Sequence, residues 1–245
     1  MKDKFYDLFS GQKPLIGMVH LAGSTTKEKM GRMLEEVSIY SEEGFGGVVV
    51  EDYHGDVDDV RQALYILSRT EIPLPIGVNV LSNPYSSFEL ADRNGASFVQ
   101  FDTIQTSKTD TLNPRRFNET EFMYLRNRFP GIVVLGGVRF KYIPPTGRTL
   151  EEDVLDGMGK CDAIVTTGEG TGIATPTQKL RDFRELTGDF PLIVGAGVNN
   201  RNIQEQISIV DGAIIGSYVK GGYTENIVQR SLVRELVDIS GIKKS

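Results

Sequence analysis

Three ionisable side chains that close short apolar runs of the sequence are the first candidates for chemistry. Glu51 and Asp102 could act as a general acid and base, because positioned carboxyls donate and accept protons. Lys141 could act as an electrophile or form a Schiff base with a carbonyl substrate. The structural alternatives are helix-capping or rim carboxylates for the acids and charge neutralisation for the lysine. These three are our candidate catalytic residues.

Polar residues near the same run ends are candidates for contact with a substrate. They are His20, Asn79, Gln100, Arg139 and Thr167. Because strand side chains alternate, Gln100 is expected on one face with Asp102, and Arg139 on one face with Lys141. A satisfied core histidine and a hydrogen-bonded core layer are the structural alternatives for His20 and Gln100.

Glycine-rich segments in the second half of the chain are typical of anion binding. Glycines let backbone N–H groups approach a phosphate, and a serine hydroxyl can add a further hydrogen bond. Tight turns alone are the alternative. A helix pattern beginning near Thr224 would supply a positive helix end nearby. The predicted phosphate site comprises Gly168, Gly195, Gly197, Gly216 and Ser217.

The sequence contains no recognisable metal or dinucleotide motif. A single cysteine, Cys161, and two distant histidines cannot supply a zinc spacing. A carboxylate-rich site could accept a divalent cation, but the acidic residues are too dispersed to define one. We therefore predict no cofactor and no metal ligand.

Composition narrows the classes of partner. The chain has 245 residues with a formal net charge of -6, so nothing attracts it generally to nucleic acid or anionic lipid. The N-terminus lacks the apolar core of a signal peptide, and no stretch approaches the roughly 20 apolar residues of a membrane span. A cytoplasmic protein without nucleic-acid or membrane partners is expected.

Short runs rich in Val and Ile alternate with amphipathic helical patterns along the chain. Their length and Gly, Pro or Asp boundaries are typical of buried parallel strands. Capping pairs such as Asn118 with Glu121 and Thr149 with Glu152 indicate helix starts, and Pro176 is expected at a first helical position. The eight runs cover residues 15–21, 47–52, 76–81, 98–103, 132–142, 162–167, 192–198 and 212–219.

Eight strand-helix units in 245 residues predict a single (β/α)8 barrel domain spanning residues 1–245. In this fold the chemistry lies at the C-terminal ends of the strands, where the candidate residues occur. The strand register decides whether Glu51 or Asp52 points inward, and the sequence leaves that open. Residues 104–116 are interpreted as a long loop at the same end.

The sequence also resembles the BtpA/SgcQ family of (β/α)8 proteins over nearly its whole length. The likeness is carried by the segments 16–21, 77–81, 162–165, 194–198 and 211–216, and by the paired Thr-Gly steps at 167–168 and 171–172. Gln100 and Asp102 stand where the family tends to have Arg and Asn, and Tyr142 replaces a common His. The resemblance implies the barrel and leaves the reaction open, since some members are linked to photosystem I biogenesis and others to sugar operons.

Two functions follow from these observations. The first is an enzyme acting on a phosphorylated small molecule, a sugar phosphate or nucleotide-like compound, by isomerisation, aldol-type cleavage or glycosidic-bond chemistry. The second is a non-catalytic biogenesis or assembly factor that retains an anion-binding barrel. The sequence identifies neither the substrate nor the oligomeric state, and a homo-oligomer is compatible with both functions.

Overall fold

Eight parallel strands close into a barrel in the computed structural model, which describes residues 2–108 and 117–242, without the side chains of residues 2 and 3. Each strand pairs with the next, and the last pairs with the first, so the (β/α)8 prediction is confirmed. The strands are β1 Leu15–Val19, β2 Gly47–Glu51, β3 Ile76–Asn79, β4 Phe98–Phe101, β5 Val133–Gly137, β6 Ala163–Thr167, β7 Leu192–Gly195 and β8 Gly212–Ile215.

Helices cover the outside of the barrel, so both faces of the sheet are covered and almost every strand residue is buried. In each connection a helix returns the chain to the next parallel strand. The helices are α1 Lys2–Leu8, α2 Thr26–Glu43, α3 Val57–Leu67, α4 Ser86–Asn94, α5 Glu119–Arg128, α6 Leu150–Met158, α7 Thr177–Thr187, α8 Ile203–Ile209 and α9 Arg230–Ser240, with a short 3₁₀ helix at Tyr218–Lys220. None of these described helices has both the length and the apolar character that crossing a membrane requires.

The predicted capping pairs lie at helix starts. Thr149 and Glu152 form a reciprocal capping box at α6, and Asn118 accepts a hydrogen bond from the Glu121 amide at α5. Pro176 precedes the first residue of α7 instead of occupying it, so that prediction is wrong by one position. Its extended backbone (ψ 132°) explains the shift, because a residue inside the helix would need a negative ψ.

The first helix closes the N-terminal end of the barrel. Phe5 and Phe9 are buried, and the Phe9 ring lies 5.9 Å from the ring of Phe98, the first residue of β4. This helix was not predicted from the sequence, because it has only seven residues and is anchored by two aromatic side chains. Its position leaves the opposite, C-terminal end of the barrel for the candidate site.

The fifth strand is shorter than its apolar run. The run 132–142 predicts one strand, but β5 ends at Gly137 and Arg139 adopts the left-handed conformation (φ 51°). A side chain at Gly137 would collide with the backbone carbonyl of Asp102, because the C-terminal ends of β4 and β5 lie very close to each other. The prediction that Arg139 and Lys141 share a strand face is therefore wrong.

The last connection also differs from its prediction. Thr224 lies in a turn between the 3₁₀ helix Tyr218–Lys220 and α9, which begins only at Arg230. The predicted helix start near Thr224 is therefore wrong. The buried Val228 and the hydrogen bond from the Gln229 amide to the Val219 carbonyl hold the chain in an irregular path up to α9. The predicted loop 104–116 is described as irregular chain up to residue 108, and residues 109–116 lie outside the described part.

Candidate active site

Two carboxyl groups share one amide at the C-terminal end of the barrel. Asn79 Nδ2 donates to Glu51 Oε1 at 2.8 Å and to Asp102 Oδ1 at 3.2 Å. The strand register explains the first contact, because Glu51 of β2 lies beside Asn79 of β3. Asp102 directly follows β4, the next strand of the barrel. Three neighbouring strand ends therefore bring the predicted acid/base residues together.

Burial makes this pair hold a proton. Desolvation, followed by the nearby charge of Asp102, raises the pKa of Glu51 from 4.5 to about 8. Desolvation also raises the pKa of Asp102, while the charge of Lys141 opposes that rise. The pair can thus carry one proton and one negative charge near neutral pH, which is the condition for an acid and a base side by side.

Asp52 does not belong to this pair. Its carboxylate accepts hydrogen bonds from the Leu81 amide at 2.6 Å and from the Ser82 hydroxyl at 2.7 Å, both in the loop after β3. Glu51 points into the barrel end and Asp52 holds this loop against it. The structure thus resolves which of the two carboxyls faces the site.

Lys141 reaches the same region from the loop after β5. Its backbone amide donates to Thr167 Oγ1 at 2.6 Å, and its Nζ donates to Thr171 Oγ1 at 3.1 Å. Thr167, a predicted substrate contact, is fully buried and its hydroxyl donates to the Gly168 carbonyl. Thr167 therefore fixes the loop that carries Lys141.

Arg139 points away from the carboxyl pair. Its guanidinium contacts Asp153 of α6 at 2.5 Å and the Arg148 carbonyl at 2.8 Å. Its backbone amide donates to Gln105 Oε1 at 2.7 Å. The structure places this predicted substrate contact in an ion pair on the flank of the barrel.

His20 and Gln100 line the barrel end with unpaired polar atoms. His20 Nδ1 and Gln100 Oε1 are buried and have no hydrogen-bond partner in the described structure. Gln100 Nε2 lies 3.4 Å from Asp102 Oδ1. Desolvation and the charge of Lys220 hold the pKa of His20 well below its usual value, so the ring is neutral. Unpaired polar groups at this depth favour a role in contacting a ligand.

A small cavity, here called the mouth cavity, lies among these residues. Its volume is about 50 Å³, and it is lined by His20, Glu51, Gln100, Asp102, Lys141, Gly195, Gly197, Gly216 and Ser217 among others. Four of the five predicted phosphate-site residues therefore meet there. Gly168, the fifth, packs against the Ala174 carbonyl and is not among the lining residues.

Chain packing explains why two of these positions are glycine. A Cβ at Gly197 would collide with the backbone of Ile173 and Ala174, and its φ of +65° also favours glycine. A Cβ at Gly216 would lie 3.0 Å from the His20 ring. The missing side chains at 197 and 216 thus leave room for the loop after β6 and for His20.

A second, larger cavity adjoins the mouth cavity. This side cavity has a volume of about 880 Å³ and lies over the loops after β3, β4 and β5. Asp102 lines both cavities, and Asn79 lines the side cavity. The consecutive residues Lys141 and Tyr142 line the mouth cavity and the side cavity, respectively. The carboxyl pair therefore lies where the two cavities meet.

Two residues that shape this region, Lys179 and Gln105, were not predicted from the sequence. Lys179 donates from Nζ to the carbonyls of Arg139 and Thr167, at 2.8 and 2.6 Å, which ties the loops after β5 and β6 together. Desolvation, assisted by the charge of Arg139, lowers its pKa to about 8. Gln105 lines the side cavity from a loop without periodicity. No pattern in the sequence distinguishes either residue from ordinary polar positions.

A metal centre is not formed by the described part of the chain. Within residues 2–108 and 117–242, no three His, Cys, Asp or Glu side chains are placed so that they could hold a metal ion. Cys161 is buried, and desolvation raises its pKa to about 12, so it is not a thiolate nucleophile.

Comparisons with known proteins relate most of the chain to one family. An uncharacterized protein of Pyrococcus abyssi is 32% identical over 89% of this chain and 92% of its own length. The Photosystem I biogenesis protein BtpA of Synechocystis is 25% identical over 88% of this chain and 83% of its own length.

Among solved structures, thiamine phosphate pyrophosphorylase from Pyrococcus furiosus superposes with a TM-score of 0.64. It is 16% identical, and the match covers 94% of this chain and 96% of that one. At this identity the likeness supports the barrel fold alone. The BtpA family model matches residues 11–241, so the chain belongs to the BtpA family.

Proposed function

We propose that this protein is an enzyme that acts on a phosphorylated small molecule at the C-terminal end of its barrel. The observation that carries the proposal is the buried pair of Glu51 and Asp102, bridged by Asn79 within the charge field of Lys141. Burying two carboxyls side by side destabilises a fold, and a pure scaffold would gain nothing from it. Strongly raised carboxyl pKa values are typical of acid/base sites.

The two carboxyls would have different tasks. Glu51 keeps its proton up to a pH of about 8, so it is the proton donor. Asp102, whose raised pKa is opposed by the charge of Lys141, would accept a proton from the substrate. Lys141 Nζ would stabilise negative charge that develops on a substrate oxygen. Isomerisation, aldol-type cleavage and glycosidic-bond chemistry all use this combination.

The mouth cavity suits a phosphate group. It combines the ammonium of Lys141, the hydroxyl of Ser217 and the glycine-rich chain ends of β7 and β8. Barrels commonly bind phosphate between the loops after these two strands. A phosphate held by these loops would supply binding energy from a group that does not itself react. The thiamine phosphate pyrophosphorylase named above has a similar barrel, and its name includes a phosphate compound. This analogy of fold agrees with a phosphorylated substrate.

Isosteric variants test the acid/base assignment. A panel of sugar phosphates is incubated with the protein and products are followed by phosphorus NMR. Glu51→Gln and Asp102→Asn keep the shape and remove the carboxyl, so each should lower the rate roughly 100-fold or more. Glu121→Gln, at an exposed position of α5, carries a matched change and should retain the full rate. Full activity of both site variants would remove the carboxyl pair from the mechanism.

Binding experiments test the phosphate assignment independently of the acid/base assignment. Ribose 5-phosphate should bind in calorimetry, and a crystal grown with phosphate should show the anion about 3 Å from backbone nitrogens near Gly216 and Ser217. An empty mouth cavity at millimolar phosphate would contradict the phosphate assignment.

A role in assembly is the second candidate. The name of the Synechocystis relative is the observation that favours it. A scaffold would keep its partner interactions when Glu51 is replaced by Gln, whereas an enzyme would lose turnover. Complementation of a host lacking this protein with Glu51→Gln therefore distinguishes the two functions.

A further inference from the structure

The side cavity is much larger than a phosphorylated sugar alone requires. Its volume of about 880 Å³ is that of a typical ligand pocket, whereas the mouth cavity of about 50 Å³ has room for little more than an anion. Asp102 belongs to both, so one ligand could occupy both cavities with its reacting bonds beside the carboxyl pair. A substrate that fills both would have two unlike ends.

Aromatic rings form one wall of the side cavity. Tyr85 and Phe101 meet edge to face with ring centroids 5.9 Å apart, and Phe117 lines the same space. The Tyr85 hydroxyl accepts a hydrogen bond from the Asn118 amide at 2.6 Å, which fixes that ring. Leu81 and Ile143 add apolar surface. Fixed aromatic walls of this kind favour flat ligands, because rings gain from stacked and edge-on contact.

The described lining of the side cavity does not favour a second phosphate. Among the described residues that line it there is no Lys, Arg or His, and Asp102 is its acidic member. An anionic group there would be desolvated beside the Asp102 carboxyl, and none of those described lining residues carries a positive charge. The described part of this lining therefore favours a neutral group in the side cavity.

Gln105 adds a requirement for a hydrogen-bond acceptor. It is only 4% exposed and lines the side cavity, and its Nε2 has no hydrogen-bond partner in the described structure. Its Oε1 is held by the Arg139 amide at 2.7 Å, so the side chain cannot simply turn to exchange the two atoms. A buried donor of this kind is costly unless a ligand supplies an acceptor.

We infer that the substrate is a phosphorylated sugar that carries a neutral planar heterocycle, with the phosphate in the mouth cavity and the heterocycle in the side cavity. This inference rests on the proposed function. The bond that joins sugar and heterocycle would then lie beside Glu51 and Asp102, where a proton donor and acceptor are available. Nucleoside 5′-monophosphates are the simplest compounds with this chemistry.

Calorimetry with matched compounds tests the inference. The probes are ribose 5-phosphate, ribose 1,5-bisphosphate, phenyl ribofuranoside 5-phosphate and the 5′-monophosphates of adenosine and uridine. The three ring-bearing compounds should bind roughly 30-fold more tightly than ribose 5-phosphate, which corresponds to about 80 Å² of buried apolar surface. The bisphosphate should gain nothing over ribose 5-phosphate.

The outcomes separate the inference from the proposed function. If ribose 5-phosphate binds and none of the ring-bearing compounds binds more tightly, the inference is overturned and the phosphate assignment stands. If none of the compounds binds, the phosphate assignment fails and the inference fails with it.

Two substitutions locate the ring. Leu81→Trp fills part of the side cavity and should remove the advantage of the ring-bearing compounds without weakening ribose 5-phosphate. Leu155→Trp, at an exposed position of α6, is the matched control and should change neither affinity. Equal effects of the two variants would overturn the location.

A third substitution tests the acceptor. Gln105→Glu keeps the oxygen that Arg139 requires and replaces the Nε2 donor. The nucleoside monophosphates should lose about tenfold in affinity, while the phenyl compound, which has no ring acceptor, should not. The same loss for all three ring-bearing compounds would show that Gln105 does not donate a hydrogen bond to an acceptor on the ring.

Discussion

At the scale of single residues, the protonation of Glu51 makes stability depend on pH. The folded protein keeps this carboxyl protonated to a pH of about 8, whereas its ordinary pKa is 4.5. Between these values the folded state holds an extra proton, so rising pH favours the unfolded chain. Relative to Glu51→Gln, the wild type should therefore lose up to about 1.4 kcal/mol of unfolding free energy per pH unit in this window.

Urea denaturation at several pH values measures this difference. Glu71→Gln makes the same change at an exposed position and should show no such trend relative to the wild type. A constant difference between wild type and Glu51→Gln from pH 4.5 to 8 would show that Glu51 titrates normally.

The sequence predicted residue types at the site better than their contacts. Glu51, Asn79 and Asp102 could be chosen because polar residues at the ends of apolar runs converge in a closed parallel barrel. The placement of Arg139 could not, since its alternation with Lys141 assumes a strand that the left-handed backbone at Arg139 interrupts. Gln105 was not predicted, because only the three-dimensional structure shows that its buried Nε2 has no hydrogen-bond partner.

At the scale of elements, a buried ion pair joins the last connection to α2. Lys220 Nζ lies 2.6 Å from Glu36 Oε1, and both side chains are almost fully buried. Lys220→Met would leave the buried Glu36 without the cation that lies against it and should lower the free energy of unfolding by about 3–5 kcal/mol. The double variant with Glu36→Gln should lose less, because no uncompensated charge remains.

Guanidinium unfolding of the single and double variants measures both effects. Lys27→Met, at an exposed position of α2, makes the same change of residue type, is the control and should change stability little. A loss equal to that control would contradict the proposed coupling between α2 and the last connection.

The elements themselves were predictable where local signals agree with the barrel. Val- and Ile-rich runs and the capping box at Thr149 confirm this, since strand propensity and helix capping act within a few residues. The ends of β5 and the start of α9 were mispredicted because contacts between distant segments decide them. At β5 the decisive contact is the close approach of Gly137 to the chain at Asp102.

At the scale of the whole molecule, a substitution at the N-terminal end of the barrel should change stability without changing ligand binding at the C-terminal end. Phe5 is fully buried in the first helix at the N-terminal end, far along the strands from the carboxyl pair. Phe5→Ala should cost about 3–5 kcal/mol of stability through lost burial and a residual cavity. Affinity for ribose 5-phosphate, measured by calorimetry below the melting transition, should remain unchanged. A variant that folds and binds several-fold more weakly would show that the two ends are coupled.

The pairing of β1 with β8 also shapes how this chain must be made. While the ribosome synthesises the protein, one edge of β1 stays without a partner until residues 212–215 have emerged, almost 200 residues later. An unpaired parallel edge invites pairing with other chains, and such distant closure is slow. Nascent chains that stall before β8 should therefore be the aggregation-prone and chaperone-dependent species of this protein, whereas the completed barrel has no edge to offer.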